Sequence, residues 1–319
     1  MIAVTGASGF VGRYAVAELV AAGLPVRACI RRPAESGALR GAEEVVESGD
    51  VLVQPNWHAC VEGAEVILHI AGSAHSKPQG DAAKEAAVRR VNVDATASLA
   101  RAALEAAVRR FVFVSSIGVN GSYTQEVPFV ESTSPAPADF YSRTKLEAEQ
   151  RLQRLCAGSA MELVIVRPTL VAGAGAPGNL ERLARLIARG MLIPDFGTNR
   201  RALVGVRSLA LLLRLACTHP GAARKVFLAA DDPPLSTRQI AETVALGMGK
   251  RARIVTLSPK VLRPIASMFG RTRDLTRLSE SLLVDSRAAR EELAWITPVP
   301  IEEELRALGA AVRRGLAGF

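Results

Sequence analysis

No two of the four cysteines are spaced as Cys-x-x-Cys, and Cys29, Cys60, Cys156 and Cys217 all lie away from any histidine at metal-ligand spacing. A bound metal and a disulfide framework are therefore not expected, and the cysteines read as small buried thiols of a reducing compartment. No run of about 18 apolar residues occurs, so no segment is expected to span a membrane. No leader-like segment precedes the strand-like Ile2-Ala3-Val4, and a cytoplasmic protein is expected. Lysine is scarce, at Lys77, Lys84, Lys145, Lys225, Lys250 and Lys260 only, so arginine carries most of the formal charge of +9. Those arginines are spread along helix-like segments and form no block, which fits a solvated surface better than a nucleic-acid footprint. Long polar tracts, internal repeats and a low-complexity tail are also missing.

What is present is a chain of 319 residues with 49% hydrophobic content, enough for one large α/β unit or two closely joined domains. Short apolar runs alternate with alanine-rich helical stretches. Strands are predicted at residues 2–4, 25–30, 66–70, 111–114 and 163–166, with a marginal one at Val51-Leu52-Val53. Helices are predicted from the first turn through Val20, over Ala95–Arg110 and over Tyr141–Leu155. Such alternation predicts a Rossmann-like, doubly wound parallel sheet. The pattern changes after Arg167-Pro168, where Gly173–Gly178 reads as a connector. A helix follows over Asn179–Arg189, then a strand at 226–228 and a helix opening at Leu235-Ser236-Thr237. Residues 1–170 are expected to bind a dinucleotide, and 171–319 to form a smaller C-terminal substrate-binding α/β domain, some of whose segments return to the first sheet.

Thr5-Gly6-Ala7-Ser8-Gly9-Phe10-Val11-Gly12 follows a strand and opens a helix. Gly6 permits the tight turn, Gly9 lets backbone approach a pyrophosphate, and Gly12 lets helix and strand pack closely, while the helix N-terminus offers free N–H groups to the anion. At the end of the second strand, where NAD-binding chains place an acid for the ribose hydroxyl, this chain has Ile30-Arg31-Arg32. Two guanidinium groups suit a 2′-phosphate, so NADP is expected, with NAD possible if one arginine merely stacks on adenine.

Tyr141-Ser142-Arg143-Thr144-Lys145 places a phenol and an ammonium on one helix face. The phenol titrates near pH 10 unperturbed, and a neighbouring cation is expected to favour its phenolate. Ser115-Ser116 follows the strand 111–114, at the end of a parallel sheet where ligands bind.

Taken together, these stretches resemble the extended short-chain dehydrogenases/reductases, in particular their nucleotide-sugar epimerase/dehydratase group. Gly49-Asp50, His69-Ile70-Ala71-Gly72, Val91-Asn92-Val93-Asp94, Arg167-Pro168-Thr169 and Asp285…Leu293-Ala294-Trp295 extend the likeness nearly end to end. The resemblance implies that Ser116 is the catalytic serine, Tyr141 the acid/base and Lys145 its helper. It implies cofactor contacts from Gly6, Ser8, Gly9, Phe10, Val11, Gly12, Arg31, Arg32, Asp50, Val51, Ala71, Gly72, Asn92, Lys145 and Pro168. It also implies that Asn179, Arg201 and Arg277 hold the diphosphate of a nucleotide sugar beside Ser116, and that a homodimer forms through the helices at 95–110 and 141–155.

The chain departs from the group's pattern in three places. Val119-Asn120-Gly121 replaces Val-Tyr-Gly, a variant resembling enzymes that make deoxy-N-acetylaminosugars. Val206-Arg207-Ser208-Leu209-Ala210 replaces Val-x-Asp-Leu-Ala. Ile117-Gly118 stands where dehydratases carry Asp-Glu, so dehydration is not expected: no carboxylate is there to protonate a leaving hydroxyl.

The expected activity is NADPH-dependent reduction at C4 of a UDP-linked 4-keto-6-deoxy hexose or N-acetylhexosamine. The alternatives are a 4-epimerase with retained NAD and a non-catalytic NADP-binding sensor. The apolar stretch Val261–Phe269, interrupted by Pro264, reads as a buried part of the substrate-binding half rather than an interfacial helix.

Overall fold

The computed structural model describes residues 1–32, 39, 41–51, 53, 55–73, 81–197, 199–257 and 279–317. Arg277 and the stretch Val261–Phe269 lie outside the described residues. The chain runs through β1 (Ile2–Thr5), α1 (Phe10–Ala21), β2 (Val26–Ile30), β3 (Glu44–Glu47), α2 (Trp57–Val61), β4 (Val66–His69), α3 (Ala82–Arg89), α4 (Ala95–Glu105) and β5 (Arg110–Val114). It continues through α5 (Phe140–Cys156), β6 (Glu162–Pro168), β7 (Leu170–Ala172), α6 (Asn179–Ala188), β8 (Leu192–Asp195), β9 (Leu203–Gly205) and α7 (Val206–Thr218). Then come β10 (Val226–Ala229), α8 (Thr237–Gly247), β11 (Arg253–Thr256), α9 (Arg287–Leu293) and α10 (Ile301–Ala317).

Strands β1, β4 and β5 are buried at every position. Strands of that kind need cover on both faces, which parallel crossovers through helices supply. Seven strands pair in the order β10-β6-β5-β4-β1-β2-β3, and every pairing is parallel. On one face α1, α7 and Trp295 pack against Val4, Leu68, Val112 and Val164. On the other, α2, α4 and α5 cover Ala3, Ile67, Phe111 and Phe113. A third core joins α6, α8 and α10. The strand order reverses between β1 and β4, so the crevice that receives ligands in such sheets opens at their carboxyl ends.

Three features differ from the sequence reading or sharpen it. The third strand is β3, not Val51–Val53, and Val51 and Val53 sit in turns. As an edge strand with Glu44, Val45 and Glu47 exposed, β3 carries no apolar run to betray it. The helix read as Ala95–Arg110 stops at Glu105, because Ala107 adopts a left-handed φ of 55° where a glycine would have signalled the end. The chain also returns to the first sheet after residue 170: α7 covers it and β10 adds its outer strand beside β6. The departure at Ser208 also has a structural answer. Asp231, past β10, supplies a carboxylate there, accepting from the Ser208 hydroxyl at 3.2 Å and the Gly205 N–H at 2.8 Å.

All four cysteines are free and buried. Among the described residues no helix is long and apolar enough to cross a membrane, and no group of three or more His, Cys, Asp or Glu side chains could hold a metal ion.

One buried cation ties the returning segment to the sheet. Arg110, at the start of β5, is 1% exposed. Its Nε donates to Glu162 at 2.7 Å, and its Nη1 donates to the carbonyls of Ala216, Cys217 and His219 at 3.0, 3.2 and 2.9 Å. These are the orphan carbonyls at the end of α7, where positive charge is favourable. Arg110→Ala is expected to lower the free energy of unfolding by about 2–3 kcal/mol, because it leaves the carbonyls at the end of α7 without their buried donor, while Glu162 keeps Arg109 as a partner. Urea denaturation followed by circular dichroism measures this.

Candidate active site

The opening turn takes the shape its glycines allow. Gly6 has a φ of 71°, and a side chain there would press on the backbone of Ala71, past the end of β4. A side chain at Gly12 would overlap the Gly6 carbonyl oxygen. The Gly9 N–H donates to the Gly6 carbonyl at 3.0 Å, and no side chain caps the first turn of α1. Gly6, Ser8, Gly9, Phe10, Val11 and Gly12 thus form a narrow turn that leads into an uncapped helix N-terminus, which fits the pyrophosphate of a dinucleotide. Arg31 and Arg32 are exposed at the end of β2, the adjacent strand. Asp50 is exposed and Val51 half-buried, both following β3.

The catalytic candidates gather where β4, β5 and α5 meet. Lys145 is 2% exposed. Its Nζ donates to the Val114 carbonyl at 2.9 Å and sits 4.5 Å over the Phe113 ring. Gly72 lies directly above, since a Cβ there would be 3.3 Å from both Lys145 Nζ and Asn92 Oδ1. The structure therefore brings Ala71, Gly72, Asn92 and Lys145 together. Asn92 is fully buried in a π-helical turn, Arg90–Asp94, between α3 and α4. Its Oδ1 accepts from the Ser73 N–H at 2.7 Å, and its Nδ2 donates to Thr144 Oγ1 on α5 at 3.0 Å.

Ser116 accepts from the Gly118 N–H at 3.1 Å and caps a short 3₁₀ turn. At Gly118 a Cβ would collide with the Ser142 hydroxyl and lie 3.3 Å from Ser116 Oγ. The dehydratase carboxylate is thus replaced by open backbone, with a second hydroxyl, that of Ser142, in its space. Sequence reading did not single out Ser142; its place directly after Tyr141 was the available signal.

The electrostatics of the tyrosine differ from expectation. Burial, and then the Asp139 carboxylate that caps α5, hold the Tyr141 phenol well above its usual range. The expected depression by Lys145 does not develop, because desolvation disfavours the phenolate and the ammonium is directed to the Val114 carbonyl. Burial pushes Lys145 itself down to about 8, against an opposing pull from Glu149. Glu149 is held by Arg167 in two hydrogen bonds of 2.9 and 2.6 Å, and Arg167 also donates to Asn120 Oδ1 at 3.0 Å. The Asn120 of the altered Val-Asn-Gly stretch is thus wired to the base of the site. Pro168 is buried next to Arg167, paired with Ala229 of β10.

The substrate candidates sit in the second half of the chain. Asn179 is exposed at the first position of α6. The backbone of Arg201 bridges Leu235 and Leu282, and its guanidinium donates to the Glu280 carbonyl at 3.3 Å.

Residues 2–230 match the NAD dependent epimerase/dehydratase family. The chain belongs to this family. As a member, it is similar to a UDP-glucose 4-epimerase of Vibrio cholerae, with 33% identity over 309 residues, covering 95% of this chain and 92% of the relative. Among solved structures it is similar to MoeE5 in complex with UDP-glucose and NAD, at 25% identity and a TM-score of 0.78, with 99% of each chain covered. A short-chain dehydrogenase/reductase superfamily protein from Agrobacterium tumefaciens with bound NAD shares the fold, with a TM-score of 0.79 over 100% of this chain and 98% of the other.

The buried ammonium has a thermodynamic consequence for the family member without ligand. Lys145 titrates near 8 folded and near 10.5 unfolded. Below pH 8 both states carry the proton and the folded state bears the full desolvation penalty. As pH rises from 8 to 10.5 the folded state loses its proton first and the penalty fades. Lys145→Met is therefore expected to unfold with up to about 3 kcal/mol more stability than the parent at pH 7, an advantage that shrinks above pH 8. Denaturant melts across that range provide the measurement.

Proposed function

We propose that this chain oxidises and re-reduces C4 of a UDP-linked hexose or N-acetylhexosamine, inverting it as a 4-epimerase. The observation that carries the reading is the buried Lys145 beneath Gly72, on the same helix as Tyr141 and beside the strand that delivers Ser116. The similarity to a UDP-glucose 4-epimerase along 95% of the chain supports the choice of reaction. The dinucleotide would be held by the turn from Gly6 to Gly12, by Asp50 and Val51 at the adenine end, and by Ala71, Gly72, Asn92, Lys145 and Pro168 at the other. Once bound, its nicotinamide supplies the hydride acceptor and donor, and its oxidised ring carries a positive charge that favours the phenolate.

Tyr141 exchanges a proton with the C4 oxygen. The Ser116 hydroxyl donates a hydrogen bond to that oxygen as negative charge develops on it. Lys145 supplies positive charge beneath the ribose position. Asn179, Arg201 and Arg277 are assigned to the sugar nucleotide's diphosphate. A homodimer through α4 and α5, working in the cytoplasm, completes the proposal.

A second reading has its own support. The two guanidinium groups of Arg31 and Arg32, exposed at the end of β2, suit a 2′-phosphate, and a phenol held protonated suits donation to a developing alkoxide. Both features favour reduction of a 4-keto sugar by NADPH. The non-catalytic sensor is disfavoured by the intact Tyr141 and Lys145.

Purified protein given UDP-glucose or UDP-N-acetylglucosamine without added dinucleotide is expected to invert C4, as read by proton NMR of the anomeric signals. No inversion, together with stoichiometric NADPH consumption on a UDP-4-keto-6-deoxy sugar, would establish the reductase instead. Tyr141→Phe is expected to bind dinucleotide but to lose about 100-fold or more in kcat; unchanged turnover removes the catalytic assignment. For the cofactor, Arg31→Ala with Arg32→Ala is expected to weaken NADP binding about 10- to 100-fold and leave NAD binding within about twofold. Calorimetric titration with both dinucleotides decides it.

A further inference from the structure

The ends of three neighbouring strands carry an unusual polar pair. Thr5 of β1, His69 of β4 and Phe113 of β5 lie side by side in register. The same row continues into Cys29 and Ile165, so Thr5 and His69 are the polar members of an otherwise apolar line. His69 is 2% exposed and stacks on Phe113 at 5.8 Å between ring centroids, on the ring that also lies under the Lys145 ammonium.

Its hydrogen bonds choose between the two tautomers of the neutral ring. Thr96 Oγ1 donates to the Asn92 carbonyl at 2.9 Å, so its single proton is spent and it accepts from His69 Nε2 at 2.8 Å. His69 Nδ1 is then the acceptor, and Thr5 Oγ1 donates to it at 2.6 Å. The ring is neutral with its proton on Nε2. Burial and the Lys145 charge hold it there, lowering its pKa to about 3.

Two of these residues continue outward. Thr5 directly precedes Gly6 and the dinucleotide turn. Asn92 donates through Nδ2 to Thr144 Oγ1, which donates in turn to the Tyr141 carbonyl at 2.7 Å. Hydrogen bonds and one short stretch of π-helical backbone therefore run unbroken from Thr5 through His69, Thr96, Asn92 and Thr144 to Tyr141.

We propose that His69 is a positioning residue that couples the dinucleotide-binding turn to the catalytic helix, through Thr5 on one side and Thr96, Asn92 and Thr144 on the other. The proposal rests on the catalytic role assigned to Tyr141. His69 touches neither the substrate nor Tyr141; it sets the π-helical turn that holds Asn92, and Asn92 sets the start of α5. A ring that can donate on one edge and accept on the other is needed because Thr96 can only accept and Thr5 is left to donate.

The test breaks the chain at its middle with little change of shape. Thr96→Val is expected to lower kcat about 10- to 100-fold, with KM for the UDP-sugar changed less than about threefold, because misalignment without loss of contact costs rate rather than binding. Thr96→Ser, which restores the hydroxyl, is expected to return kcat to within about threefold of the parent. Thr96→Val with kcat within about twofold of the parent, or a serine variant as impaired as the valine one, overturns the proposal.

A spectroscopic arm is independent of turnover. Protein labelled with ¹⁵N-histidine is expected to show one imidazole, absent in His69→Gln, that stays neutral from pH 5 to pH 9 with its proton on Nε2. A His69 signal that titrates, or a proton on Nδ1, overturns the inference. If the parent turns over no UDP-sugar, the functional reading fails separately. The inference is then judged on the imidazole signals and on the Tyr141 ring-carbon shift, expected to move in Thr96→Val and revert in Thr96→Ser.

Discussion

A lysine ammonium sunk into the fold is the constraint on which the site depends. Nothing in bulk water holds Lys145: one backbone carbonyl, one aromatic face and a carboxylate one helical turn away do so instead. Each of these supports implies another. The Val114 carbonyl is available because β5 ends there, and Phe113 offers its face because α5 packs across that strand. Glu149 can stay close because Arg167 from β6 neutralises it with two hydrogen bonds. A charge in such surroundings is costly unless every partner is in place, so strands β5 and β6 and helix α5 form one electrostatic unit before any ligand arrives.

Around this unit the altered motifs become mutually consistent. Gly118 leaves a space that the Ser142 hydroxyl enters beside Ser116, so a hydroxyl, not a carboxylate, stands next to the serine. Asn120, in place of a tyrosine, accepts from Arg167 and joins the site to the salt bridge beneath Lys145. Ser208 lacks a carboxylate, and Asp231 brings one from the other side of β10, where burial raises it to about 6. Ser142 and Asn120 keep the surroundings of Ser116 and Glu149 polar, and no acid stands at 117 or 118 to protonate a leaving hydroxyl. That chemistry fits proton and hydride exchange at a carbinol carbon better than dehydration.

Legibility in the sequence followed the distance between partners. The turn from Thr5 to Gly12 and the pair Tyr141 and Lys145 act within a few residues, so spacing alone revealed them. The strands β1, β4, β5 and β6 were legible because full burial demands continuous apolar runs. Strand β3 was not, since an edge strand can be as polar as Glu44–Glu47. The end of α4 was missed because an alanine, not a glycine, takes the left-handed conformation at 107. The expected effect of Lys145 on Tyr141 failed for a different reason: helical spacing gives proximity, but desolvation sets the sign. His69 was legible only as part of the stretch His69-Ile70-Ala71-Gly72, with no role of its own, because its partners, Thr5 and Thr96, are 64 and 27 residues away and meet it only across the folded sheet.

The late return of the chain to its first sheet has a consequence for how the protein is made. Strand β6 gains its outer neighbour only when β10 is added, some sixty residues after β6 is complete. Until then a ribosome-bound nascent chain carries an uncovered strand edge rich in Leu163, Val164, Ile165 and Val166, the kind of edge that recruits a second chain. Arg110 waits through the same interval without the α7 carbonyls that will satisfy it. The outer edge of β6 therefore stays open until residues 226–229 are made, and a fragment cut at the end of β6 keeps that edge open permanently.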